Sequence, residues 1–64
     1  MINIYLDSRN PNNDLGLIGQ WANDQRFILP EPGYNRDADS WIFRFRNEHD
    51  AAHFKLVWGG VVIP

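Results

Sequence analysis

Residues 40–60 read SWIFRFRNEHDAAHFKLVWGG, and this stretch decides the fold. Its first seven residues alternate between two sets of side chains, which is the period of a β-strand with one buried face. The aromatic set is predicted to face the core and consists of Trp41, Phe43 and Phe45. The set on the opposite face consists of Ile42, Arg44 and Arg46. We therefore expect a strand over residues 40–46.

A helix is predicted directly after this strand, over residues 48–58. Asn47 is a favourable N-cap, and Glu48 and Asp50 place carboxylates at the positive end of the helix dipole. The apolar residues that recur at helical spacing are Ala51, Phe54 and Trp58. The pair Gly59-Gly60 should end the helix, because glycine adopts the left-handed conformation without strain.

A second helix is predicted over residues 14–25, with Asn12 or Asn13 as its N-cap. Its apolar side chains at helical spacing are Leu15, Ile18, Trp21 and Ala22. Glycine is unfavourable inside a helix, and Gly16 and Gly19 both fall in this segment. The segment therefore suits an irregular loop as well as a helix.

Three further segments are predicted to be strands. In residues 1–6 the apolar side chains alternate with polar ones, and they are Ile2, Ile4 and Leu6. Residues 26–29 form a short β-prone run that Pro30 stops, and residues 61–63 form another. The elements then follow in the split βαβ order of a ferredoxin-like unit.

We therefore predict an α+β fold: a miniature ferredoxin-like βαββαβ domain in which two helices cover one face of a small antiparallel sheet. A chain of 64 residues is long enough for one such domain, here residues 1–64. The hydrophobic content of 44% is too high for a disordered chain, so a packed core is expected.

Charge and composition exclude several classes of partner. The formal net charge of −2 makes nucleic acid and anionic lipid unlikely partners, because both require a basic surface. Cysteine is absent, so the chain can form neither a disulfide nor a thiolate metal site. No signal-peptide pattern and no apolar run of about 20 residues occurs. We expect a soluble, cytoplasmic protein with no membrane partner.

The sequence contains weak signals for metal binding and for catalysis. His49 and His53 have the i, i+4 spacing of a metalloprotease helix, but Asp50 replaces the general-base Glu and no third ligand follows. Residues 35–40 alternate oxygen ligands without the Gly and Glu positions of a calcium loop. No nucleophile motif surrounds either serine. We therefore predict no enzyme activity, no catalytic, cofactor-binding or metal-binding residue, no cofactor and no small-molecule substrate.

Arginines on the second face of the 40–46 strand define one hypothesis for function. Arg44 and Arg46, with Arg26 on a neighbouring strand, would form a basic strip on the open face of the sheet. Nucleic-acid platforms combine such a strip with exposed aromatic rings, and here Tyr5 is the one ring expected on that face. A small nucleic-acid-binding module is therefore the alternative hypothesis.

The aromatic content defines the preferred hypothesis. The chain has nine Trp, Tyr and Phe residues, more than a core of this size buries, and exposed aromatic rings are typical of interfaces. Trp21 and Tyr34, the latter in the loop that Pro32 and Gly33 predict, are the first candidates, with Tyr5, Arg44 and Arg46 as further partner-binding residues. A small core also gains stability from oligomerisation, for which edge strands at residues 26–29 or 61–63 offer unpaired backbone groups.

The segment from Trp41 to Gly60 resembles the C-terminal half of short uncharacterised proteins encoded by tailed bacteriophages. In those proteins an aromatic strand leads into a D-A-x-x-F-K-L-x-W-G helix. The matching residues here are Asp50, Ala51, Phe54, Lys55, Leu56, Trp58 and Gly59, and the match covers about a third of the chain. The resemblance implies a viral origin and expression in the cytoplasm of a bacterial host. It also implies action by binding a host or phage protein.

We therefore predict a small non-enzymatic phage-type protein that acts by protein–protein interaction. Its partner would be a second copy of itself, in a homodimer, or a host or phage protein that it inhibits.

Overall fold

Two helices and four strands make up the computed structural model, which describes residues 1–63. Their order along the chain is β1 (Ile2–Asp7), α1 (Leu15–Asp24), β2 (Gly33–Asn35), β3 (Ser40–Phe45), α2 (Glu48–Trp58) and β4 (Val61–Ile63).

The four strands form one antiparallel sheet in the order β2-β3-β1-β4. Ile4 of β1 faces Phe43 of β3 on one side and Val62 of β4 on the other. The central strands are thus β1 and β3, while β2 and β4 are the edges. This topology confirms the predicted α+β fold of the ferredoxin-like type, with the elements in the order βαββαβ.

The core lies between the sheet and the helices. The largest fully buried side chains are Phe43, Phe54, Ile4, Leu6 and Ile18. The ring of Phe54 on α2 lies 4.8 Å from that of Phe43 and 5.3 Å from that of Phe45, measured between ring centroids. The alternation in β3 therefore places Phe43 and Phe45 against α2, and Trp41, on the same face, packs partly buried against the core, as predicted.

The second helix has the predicted bounds and caps. The Asn47 side chain accepts a hydrogen bond of 2.8 Å from the backbone N–H of His49. At the other end, Gly59 has φ of 79° and its N–H donates to the carbonyl of Lys55. The capping side chain and the glycine thus satisfy backbone groups that a helix leaves unpaired at its ends.

The first helix is regular, but its predicted N-cap is wrong. Asp14 caps it, because Asp14 Oδ1 accepts hydrogen bonds from the N–H groups of Gly16 and Leu17. Asn12 and Asn13 belong to the preceding turn, where the Asn13 side-chain amide donates to the carbonyl of Asp7. The helix begins later than the Asx-rich segment suggests, because these side chains stabilise the turn.

The strand predicted over residues 26–29 is wrong, and so is the loop predicted at Tyr34. Arg26 has φ of 54°, and the N–H of Phe27 donates to the carbonyl of Ala22, so the chain turns sharply after α1. The Phe27 ring then packs 5.1 Å from that of Trp21. The edge strand forms later, and Tyr34 lies on it directly opposite Trp41.

Gly19 has no evident structural need to be glycine. Apart from its chain neighbours and the backbone of its own helix, no heavy atom of the described residues lies within 4 Å of a Cβ placed there, and its φ is not in the left-handed region. We expect Gly19→Ala to raise the free energy of unfolding by about 0.5–1 kcal/mol, since alanine is the better helix former. Urea unfolding followed by circular dichroism measures this, and a lower stability would contradict it.

Among the described residues, no helix is both long and apolar enough to span a bilayer.

Candidate functional site

The free edge of β4 exposes three consecutive apolar side chains. Val61, Val62 and Ile63 are 60%, 42% and 38% exposed. Within residues 1–63, β4 pairs with β1 on one side only. Its other side therefore presents backbone N–H and C=O groups that another strand can pair with.

The side chains of β4 extend both faces of the sheet. Val62 lies opposite Ile4, so it continues the face that the helices cover. Val61 lies opposite Tyr5, which in turn lies opposite the buried Ile42 on the open face. An apolar row thus runs across the open face from β3 to the exposed edge.

Edge strands commonly carry charged side chains that prevent pairing with other chains. Residues 58–63 carry none, and the short length of β4 is the protective feature that the structure shows there. Pairing at this edge therefore requires no burial of charge.

The structure brings together only part of the predicted basic strip. Arg44 lies on the open face with Tyr5, and its Nη1 atom lies over Gly33, 3.7 Å from where a Cβ would stand. Arg46 is exposed and follows the last residue of β3. Arg26 lies in the turn after α1 and not on a neighbouring strand, so it does not join them.

Trp21, predicted to bind a partner, lies between the two helices. Its ring lies 5.6 Å from His53 and 6.0 Å from Trp58 of α2, so most of its surface packs inside the protein. The remaining surface lines a groove of about 450 Å³ beside the exposed Leu17 and Val57. This groove is a second apolar surface, and it is separate from the β4 edge.

Tyr34, the other first candidate, is exposed at the opposite edge of the sheet. Its ring lies 5.1 Å from that of Trp41, and its hydroxyl donates a hydrogen bond of 3.2 Å to Asp39 Oδ1. Trp41 also borders a cleft of about 280 Å³ whose other sides are the polar turn before α1. Trp21 and Tyr34 thus belong to different clusters.

One ion pair stabilises the turn after β1. Arg9 donates from its side chain and its backbone N–H to Asp7 Oδ1, at 3.1 and 2.9 Å, and these hydrogen bonds lower the pKa of Asp7 below its ordinary value. A lowered carboxyl pKa contributes stability above the unfolded-state pKa, and this contribution is lost as the pH falls through the folded-state value. Because both groups are exposed, the contribution is small.

His49 and His53 lie on one exposed face of α2 beside Leu56. The His53 ring packs edge-on against the rings of Trp21 and Phe27. In the part of the chain that the structure describes, no group of three or more His, Cys, Asp or Glu side chains is placed to hold a metal ion.

Sequence reasoning identified residues 61–63 as an edge but missed the helical groove and its residues Leu17 and Val57. Three consecutive apolar β-branched side chains indicate a strand, but the strand order that places it at the edge depends on tertiary contacts. The groove has no comparable signal, since Leu17 and Val57 lie outside the apolar helical patterns and come together only when α1 packs beside α2.

The chain matches no protein-family model, no curated protein and no solved structure. No family is therefore assigned to it.

Proposed function

We propose that this chain is a non-enzymatic protein that acts by binding another protein chain at the free edge of β4. The observation that carries the proposal is the exposure of all three apolar side chains of an uncharged edge strand. A partner strand would pair with the unpaired backbone groups, and its apolar side chains would cover those of β4 on both faces.

The proposal extends to origin and location. We propose that the chain is encoded by a bacteriophage and acts in the host cytoplasm, on itself or on a host or phage protein that it inhibits. The resemblance of residues 41–60 to phage proteins supports this extension. Nucleic-acid binding through Arg44 and Arg46 has less support, because Arg26 lies elsewhere and the net charge is −2.

Capture from a bacterial lysate tests the proposed function. The immobilised wild type is compared with Val62→Lys, which puts a charge on the edge, and with Ile28→Lys. Ile28 is a matched control because it is 88% exposed and lies between α1 and β2, outside the β4 edge. We expect the wild type and Ile28→Lys to retain the same protein, identified by mass spectrometry, and Val62→Lys to lose most of it.

Equal retention by all three forms would contradict the proposal. The absence of any retained protein would also contradict it if the purified chain is monomeric.

A further inference from the structure

We propose that the β4 edge is the interface of a symmetric dimer, in which β4 pairs antiparallel with β4 of a second copy. The two sheets would then join into one continuous sheet with all helices on the same side. This inference rests on the proposed function and names its partner.

Symmetry restricts the register of such a pair. In an antiparallel pair with two-fold symmetry, one residue lies on the axis and faces its own copy. With Val62 on the axis, all three residues of β4 are paired, and Val61 faces Ile63 of the second copy. Val62 then faces Val62 of the second copy on the helix-covered side of the sheet. Val61 faces Ile63 on the open side.

The neighbouring register is less favourable. A shift that places Val61 on the axis would bring Gly60 opposite Val62. Gly60 has φ of 96°, so its backbone is not extended as a paired strand requires. Because glycine has no side chain, Val62 would also lack a side-chain partner in this register. The register centred on Val62 instead gives three cross-strand pairs of β-branched side chains, the type that packs well on a pleated surface.

The absence of charged residues along the edge removes one obstacle to pairing with a second copy. Any charge near the two-fold axis would lie close to the same charge of the other copy, and residues 58–63 carry none. This side of the interface therefore contains no like-charge contact that would oppose self-pairing.

The flank of α2 nearer β4 carries one residue of each charge, Glu48 and Lys55. Val57 and His53 lie on the flank of α2 that borders α1. Helical spacing places Glu48, Ala52 and Lys55 on the opposite flank. Because α1 connects to β2 at the far edge, this flank is the one nearer β4. Antiparallel copies would turn the Glu48 end of one flank toward the Lys55 end of the other, and opposite charges favour that orientation.

The test uses the purified full chain alone, in sedimentation velocity over a dilution series. We expect the wild type to be a dimer that dissociates on dilution. Val62→Lys and Val62→Glu should each raise the dimer Kd by about tenfold or more, because each places two like charges face to face. An equimolar mixture of these two variants should restore a dimer, since Lys then faces Glu.

Two controls separate the register from general effects of charge. Ile28→Lys should leave the dimer Kd unchanged, because that side chain lies in the connection between α1 and β2. Val61→Lys alone should weaken the dimer, and adding Ile63→Glu should restore it, because residue 61 faces residue 63 of the other copy. Far-UV circular dichroism checks that every variant is folded.

A wild type that stays monomeric would overturn the dimer and would leave the proposed function to the lysate capture. A dimer that Val62→Lys does not weaken would overturn the dimer at this edge, because it would form through another surface, and would leave the proposed function to the lysate capture. Failure of the mixed variants to associate would overturn the register centred on Val62.

Discussion

Phe54→Ala is expected to unfold the chain at room temperature. Phe54 is fully buried and its ring packs against those of Phe43 and Phe45, so its removal leaves a cavity in the middle of the core. Such a substitution costs about 3–5 kcal/mol. A core of this size without a disulfide or metal supplies only about 3–5 kcal/mol of net stability.

Leu56→Ala is the matched control, because Leu56 lies on the same helix and is 87% exposed. We expect its free energy of unfolding to lie within about 0.5 kcal/mol of that of the wild type. Far-UV circular dichroism and urea unfolding measure both variants. Cooperative unfolding of Phe54→Ala near the wild-type midpoint would show that α2 does not form the centre of the core.

Gly60→Ala is expected to cost about 2–4 kcal/mol of unfolding free energy, for two reasons. Its φ of 96° is strained for any residue with a Cβ. In addition, a Cβ there would lie 2.7 Å from the carbonyl oxygen of Tyr5 and 2.7 Å from Leu6 Cδ2, and the backbone oxygen cannot move aside easily. Glycine at this position therefore lets the chain approach β1 closely enough for β4 to pair.

Gly59→Ala separates the two causes. Gly59 also has a positive φ, of 79°, but apart from its chain neighbours no heavy atom of the described residues lies within 4 Å of a Cβ placed there. We expect this variant to lose only the conformational part, about 1–3 kcal/mol, because φ of 79° with ψ of −142° is a combination that residues with a Cβ rarely adopt. Urea unfolding of the two variants gives the difference, and equal losses would mean that the contact with β1 carries no cost.

The part of the fold that the sequence predicts well is the part that local signals determine. The β3 alternation and the α2 caps depend on residues next to each other in the chain, so their bounds are nearly correct. β2 carries no such signal, because Gly33, Tyr34 and Asn35 have no alternation of their own and pair only because β3 lies beside them. Phe27 likewise joins the aromatic cluster instead of a strand, because Trp21 and Phe54 offer it ring contacts.

The candidate site was predictable only in part, for a related reason. An aromatic excess indicates that some rings remain exposed, but which ones do so depends on tertiary contacts. Trp21 is covered largely by side chains of the other helix, whereas Tyr34 lies at an edge where the sheet ends. The exposure of residues 61–63 follows from the strand order, which no local pattern contains.

The most direct test of the β4 edge as the interaction surface is a two-dimensional 15N–1H NMR spectrum of the purified chain across a dilution series. We expect the amide signals of Val61, Val62 and Ile63 to change with concentration, while those of Leu17 and Val57 in the helical groove stay constant. Changes confined to Leu17 and Val57, with the β4 signals unchanged, would contradict the account and place the interaction surface between the helices.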